Sequence, residues 1–231
     1  MKRKLIATKV SANGGDEVGF LQPVDQLPYT VSEVVSSKFE FHLDEDIVDP
    51  SYYRNLITVL NNATETDLVV LNINSQGGML DSAIAIMDAL NNTRAQTLAF
   101  TTGSCYSAAT LIALSCSTVE VGEFSNWMIH DGSYGVVSKS TDIVNRGIFE
   151  NNFIRKLFKK VYIPFLSEEE LEQVMKGMDL WLTSEEVEER LANMQEIYMQ
   201  EVQEELEKLQ NNQDGAGDNI SYTLKEDKLL S

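Results

Sequence analysis

The chain has 231 residues, enough for one domain with a sizeable core and a tail. Thirty-six acidic against 18 basic residues give a formal charge of −18, which argues against nucleic acid, whose phosphates need a basic patch, and against an anionic membrane surface. The basic start Met1-Lys2-Arg3-Lys4 is followed by no apolar run of signal-peptide length, and no stretch is long enough to span a bilayer.

Residues 1–37, with Gly14-Gly15 and two prolines, show no clean period and read as an irregular extension. Phe39, Phe41 and Leu43 alternate as a strand does. Asp49-Pro50 starts a helix through Tyr53, Leu56, Ile57 and Leu60. The apolar run Leu68 to Ile73 predicts a buried parallel strand that ends in a Gly77-Gly78 turn. Leu80 to Leu90 gives a helix with Ala83, Ile84, Met87 and Leu90 on one face. Leu98-Ala99-Phe100 reads as a strand, then a small-residue turn up to Ser107, then a helix from Ala108 to Leu114.

Val119 to Val121 and Asn126 to Ile129 are two further short strands. A long helix is expected from Ile143 to Val161, and a second from Ser167 to Met175 opens on a capping-box pattern. From residue 185 to 210 an amphipathic helix, with a possible break, carries Val187, Leu191, Met194, Val202, Leu206 and Leu209. Residues 211–219 read as a linker and the last dozen as a weakly attached tail. Strand–helix alternation with short connections predicts an α/β fold with a mainly parallel sheet. Most of the acidic excess lies after Leu166, as a solvated helix face or a partner-docking tail.

Four short segments carry candidate chemistry. They are Asn74-Ser75-Gln76-Gly77-Gly78, Gly103-Ser104-Cys105-Tyr106-Ser107, Met128-Ile129-His130 and Asp179-Leu180-Trp181-Leu182-Thr183. A serine hydroxyl is a poor nucleophile until a base takes its proton, histidine is the usual base near neutral pH, and a carboxylate usually orients it. Each of these types stands at a junction between predicted elements. Taken singly, Ser107 reads as a helix N-cap, His130 as a core histidine, Asp179 as a cap or surface residue, and Gly77-Gly78 as a plain turn.

In that order and approximate spacing, the four segments resemble the proteolytic subunit of the Clp protease, ClpP, over residues about 38 to 190. The resemblance implies an α/β fold of the ClpP/crotonase type, a spiral of β-α units with a protruding handle helix. It implies a peptidase domain at 38–195, flanked by the extension at 1–37, a possible axial segment, and an acidic helical and flexible tail at 196–231. By the same resemblance Ser107 is the nucleophile, His130 the general base and Asp179 its orienting residue. The backbone amides of Gly78 and Ala108 form the oxyanion hole. Implied too are a homo-oligomer of heptameric rings stacked in pairs, a separate Clp-type ATPase, and peptide or unfolded-protein substrates. No cofactor and no metal are implied, and no phosphate-binding loop is present in the chain.

The chain departs from the pattern at several positions. Gln76 replaces a proline and is expected to loosen the turn. Cys105 and Tyr106 replace small residues, and Tyr106 adds bulk beside the serine. Asp131 follows His130, either to compete for it or to start a turn. Ser75 and Ser104 read as turn residues, and His42 as a poor base. Cys105 and Cys116 are expected to be reduced and buried, which fits a cytoplasmic location. Cys105 as the nucleophile is a minor alternative. Two other functions stay open: a non-proteolytic structural or pseudo-enzyme subunit of the same fold, and an acyl-CoA enzyme of the crotonase type.

Overall fold

The computed structural model describes residues 36–133, 135, 137 and 139–214. The expected N-terminal extension lies outside them except for Ser36 and Ser37, as do residues 215–231 of the expected linker and tail.

Strand β1 (Lys38–Leu43) pairs in parallel with β2 (Leu68–Ser75), Lys38 opposite Leu68. Between them Asp49 accepts a hydrogen bond from the Ser51 amide at 2.8 Å and starts a 3₁₀ turn, Pro50–Tyr53. Pro50 fits there because its missing N–H would have no helical partner. Helix α1 (Arg54–Asn62) follows and buries Leu56 and Leu60. Strand β2 buries Val69, Val70, Leu71 and Ile73, as a strand covered on both faces does. Helix α2 (Leu80–Asn92) buries Ala83, Ile86, Met87 and Leu90.

Strand β3 (Gln96–Tyr106) is much longer than the expected Leu98-Ala99-Phe100. The segment read as a turn is mostly strand. Its register against β2 slips between Ile73/Thr101 and Ser75/Cys105, so β3 carries extra residues there. Gly103, at φ 58°, takes up the irregularity, and Asn74 Oδ1 accepts from the Ser104 amide at 3.0 Å. Ser75 and Ser104 are therefore strand residues, not turn residues. The two halves of β3 have different neighbours. Leu98 to Thr101 pair with β4 (Thr118–Val121), and Ser104 to Tyr106 pair with β5 (Asn126–Ile129).

Helix α3 (Ala108–Leu114) starts one residue after β3. Strand β6 (Leu180–Thr183) closes the sheet antiparallel to β5, and the order is β1-β2-β3-β5-β6 with β4 beside β3. The core on the helix side holds Trp127, Tyr162 and Phe165, all nearly fully buried, with the Trp127 and Phe165 rings 5.6 Å apart. Their polar atoms are paired as burial requires: Trp127 Nε1 donates to Thr101 Oγ1 at 3.3 Å, and the Tyr162 hydroxyl meets Thr110 Oγ1 at 2.7 Å.

Helix α4 (Ser140–Tyr162) buries only Ile154, Phe158 and Tyr162, near its end. Its first half exposes Ile143, Val144, Ile148 and Phe149. Helix α5 (Glu168–Val174) carries the expected capping box: Ser167 Oγ accepts from the Glu170 amide at 3.1 Å, and the Ser167 amide donates to Glu170 at 2.9 Å. Helix α6 (Ser184–Asp214) runs without a break, so residues 211–214 are helical where the sequence reads as linker. Its Glu, Gln, Leu and Met content favours helix throughout. Only its first part, with Val187, Leu191 and Met194, packs on the core.

Arg190 joins α6 to α5 through a two-pronged contact with Glu170, at 3.0 and 2.6 Å. The guanidinium holds the Glu170 carboxyl down to about 2 from its usual 4.5. A carboxyl depressed on folding stabilises the fold above its unfolded pKa and loses that contribution as pH falls through the folded one. The pair is therefore expected to contribute fully above pH 4.5 and to fade toward pH 2. Arg190→Ala is expected to cost about 1–2 kcal/mol at neutral pH. Denaturant melts of both proteins from pH 7 downward should show the difference closing at the acid end.

Candidate active site

Ser107 joins β3 to α3 with φ 53° and ψ −124°, and among the described residues it is the one non-glycine with positive φ. Such a backbone costs free energy and persists only where its surroundings over-determine it. Here the Ser107 amide donates to the Met128 carbonyl at 2.7 Å. The Ser107 carbonyl accepts from the Thr110 hydroxyl at 2.7 Å, and that hydroxyl is held in turn by buried Tyr162. Although Ser107 occupies the N-cap position of α3, its side chain makes no cap bond. Its Oγ lies 2.8 Å from His130 Nε2.

His130 directly follows β5. The pairing of Tyr106 with Met128 brings the end of β3 beside the end of β5, and that sets the serine against the histidine. His42 lies exposed on edge strand β1. Cys105 is completely buried on the opposite side of β3 from Tyr106, and burial pushes its thiol well up. Cys116 is only partly buried, not fully as expected, and desolvation raises its thiol to about 12. A thiol held in its neutral form is a poor nucleophile.

The Gly77-Gly78 loop closes on Ser107 from the β2 side. Gly77 has φ 89°, and a Cβ on it would lie 2.5 Å from the Tyr106 carbonyl oxygen, 2.7 Å from Ser107 Cβ and 3.1 Å from the Ala108 nitrogen. At Gly78 a Cβ would meet the Ile47 carbonyl oxygen at 2.2 Å. Ile47 clamps the loop, donating to the Gly77 carbonyl and accepting from the Met79 amide, both at 2.7 Å. Buried Ser75 accepts from the Gly77 amide at 3.1 Å and donates to the Glu45 carbonyl at 2.6 Å. Gln76 ties the loop to β3 through Ser104 at 3.2 Å, which offsets the missing proline. Among the described residues the Gly78 and Ala108 amides have no acceptor. Gly77→Ala is expected to cost about 2–4 kcal/mol, combining the left-handed backbone with a clash against the serine turn. Thermal melts would measure it.

Asp179 is the residue that the structure does not join to the others. It is exposed and makes no hydrogen bond or ion pair with His130. The last pair of the β5–β6 ladder is Ile129 opposite Leu180, so His130 and Asp179 each lie one residue beyond it. Asp131 accepts from the Gly132 amide at 2.8 Å, the turn-starting alternative of the two. Sequence reasoning missed the supports from Thr110 and Tyr162, and a contact between Tyr106, Asn126 and Trp181. Apart from the bond of Thr110 to Ser107 three residues earlier, these are long-range pairings with no local signal.

Among the described residues no group of three His, Cys, Asp or Glu side chains is placed to hold a metal, and no helix is long and apolar enough to cross a membrane. A serine on a strained strand-to-helix turn, bonded to a histidine at the end of a neighbouring strand, is the layout that serine hydrolases use. The family model described as Clp protease matches residues 29–186, and the chain belongs to that family. Comparison with curated proteins returns no match.

Proposed function

We propose that the chain is a serine endopeptidase that cleaves short peptides or unfolded polypeptides. The observation that carries this reading is the 2.8 Å contact between Ser107 Oγ and His130 Nε2 on the strained turn. In the proposed cycle Ser107 attacks the scissile carbonyl while His130 takes its proton. The tetrahedral oxyanion rests on the Gly78 and Ala108 amides. His130 then protonates the leaving amine, and water releases the acyl group by the same steps. Asp179 turns toward His130 and holds its second ring nitrogen protonated.

Family membership supports a chamber of stacked heptameric rings fed by a separate Clp-type ATPase in the cytoplasm. The exposed apolar side chains on the first half of α4 support its role as the handle that joins rings. The alternative, a non-proteolytic subunit of the same fold, draws on the separation of Asp179 from His130. A fluorophosphonate probe separates the two. Ser107-dependent labelling, lost in Ser107→Ala and carried by a large species in gel filtration, is the expected result. An assembled ring that takes no label would overturn the peptidase reading.

A further inference from the structure

Register places a set of side chains on one face of β3, β5 and β6. Ser104, Asn126 and Thr183 are mutual neighbours across the three strands, and so are Tyr106, Met128 and Trp181. Side chains alternate between the faces of a sheet. Cys105, Trp127 and Leu182 accordingly take the other face and are buried. Following the same alternation, His130 stands at the end of the first face, bonded to Ser107.

Two aromatic rings meet on this face. The Tyr106 hydroxyl donates to Asn126 Oδ1, and its ring meets Trp181 edge to face, with centroids 5.3 Å apart and planes at 79°. Tyr106 is thus fixed at both ends of its side chain. Trp181 is 58% exposed. Burying an indole contributes more than burying most side chains, so its exposure beside a candidate active site points to a ligand group that covers it.

We propose that the Tyr106–Trp181 corner is a specificity subsite that receives an apolar side chain of the peptide substrate. The proposal rests on the peptidase reading above. Met128 and Trp181 each lie two residues along their strands from His130 and Asp179, a distance of about 7 Å. In an extended peptide, side chains two residues apart are also separated by about 7 Å. The side chain that reaches the corner therefore belongs to a residue within two positions of the scissile bond. The hydroxyl bond to Asn126 keeps the tyrosine ring from folding over the indole, so the corner is pre-formed and little ordering is needed on binding.

The test is cleavage profiling of the assembled protein on fluorogenic peptides that vary Phe, Leu, Ser and Gly at the two positions on each side of the scissile bond. Wild type is expected to favour Phe or Leu over Gly by about 10–100-fold in kcat/KM at one of these positions. Trp181→Ala is expected to reduce that preference by about tenfold at the same position. Tyr106→Phe keeps the ring but loses the Asn126 bond, and is expected to reduce the preference less. An unchanged profile in Trp181→Ala would overturn the subsite. So would loss of the ring in gel filtration, which would make Trp181 a subunit contact instead. Absence of fluorophosphonate labelling at Ser107 in assembled wild type would overturn the peptidase reading, and the subsite with it. Labelling with an indifferent profile would overturn the subsite alone.

Discussion

Ser107→Ala is expected to lower peptide hydrolysis by at least about 10⁴-fold, because it removes the hydroxyl that lies 2.8 Å from His130 Nε2. The residual rate would come from substrate binding and the two backbone amides. A companion variant separates chemistry from folding. At φ 53° and ψ −124° a non-glycine residue is strained, and glycine is not. Ser107→Ala retains that strain, whereas Ser107→Gly releases it. Ser107→Gly is therefore expected to be about as inactive as the alanine variant yet about 1 kcal/mol more stable than it. Steady-state hydrolysis and denaturant melts of the three proteins would check both halves. If the glycine variant is no more stable than the alanine variant, the turn holds no strain. If the alanine variant keeps its rate, Ser107 is not the nucleophile.

The residues that were legible in the sequence were those whose local pattern and tertiary role agree. The run Leu68 to Ile73 is apolar because β2 is covered on both faces, and the capping box of α5 is written within four consecutive residues. The order of four motifs singles out Ser107 and His130 as candidates, and the fold sets them 2.8 Å apart. The length of β3 was not. Its second half is Thr102-Gly103-Ser104-Cys105-Tyr106, small and mostly polar, with a glycine that by itself signals a turn. Pairing with Asn126 to Met128 on one side, and of Cys105 with Ser75 on the other, makes it strand. Strand β6 was missed for a similar reason, since four residues are too short for a period to register. At the end of α6 Asn211 and Asn212 weakly favour a linker, but a helix already nucleated extends through them. The Tyr106–Trp181 contact joins residues far apart in the chain and had no local signal.

Asp179→Asn is the variant with the second largest expected effect, and its basis is register rather than contact. The ladder runs Asn126 opposite Thr183, Trp127 opposite Leu182, Met128 opposite Trp181 and Ile129 opposite Leu180. Continuing the register one step past this last pair would set His130 opposite Asp179. Directly opposed residues have Cβ atoms about 4.5–5.5 Å apart, within reach of a carboxylate and an imidazole after a side-chain rotation. Exposure explains why the rotation is not made in the isolated chain. A solvated carboxylate gains little from an exposed ion pair and gives up side-chain freedom to make it. Covering the site with a peptide or a neighbouring subunit removes the water and strengthens the pair. On that argument Asp179 is expected to act once the site is covered, and Asp179→Asn is expected to lower kcat by about 10²–10⁴-fold with KM changed little. Stability should be nearly unaffected, since the wild-type side chain makes no contact with His130 to lose. Kinetics of the assembled variant, together with its thermal melt, would decide. An unchanged kcat would leave His130 working with Ser107 alone, and a large loss of stability would give Asp179 a structural role instead.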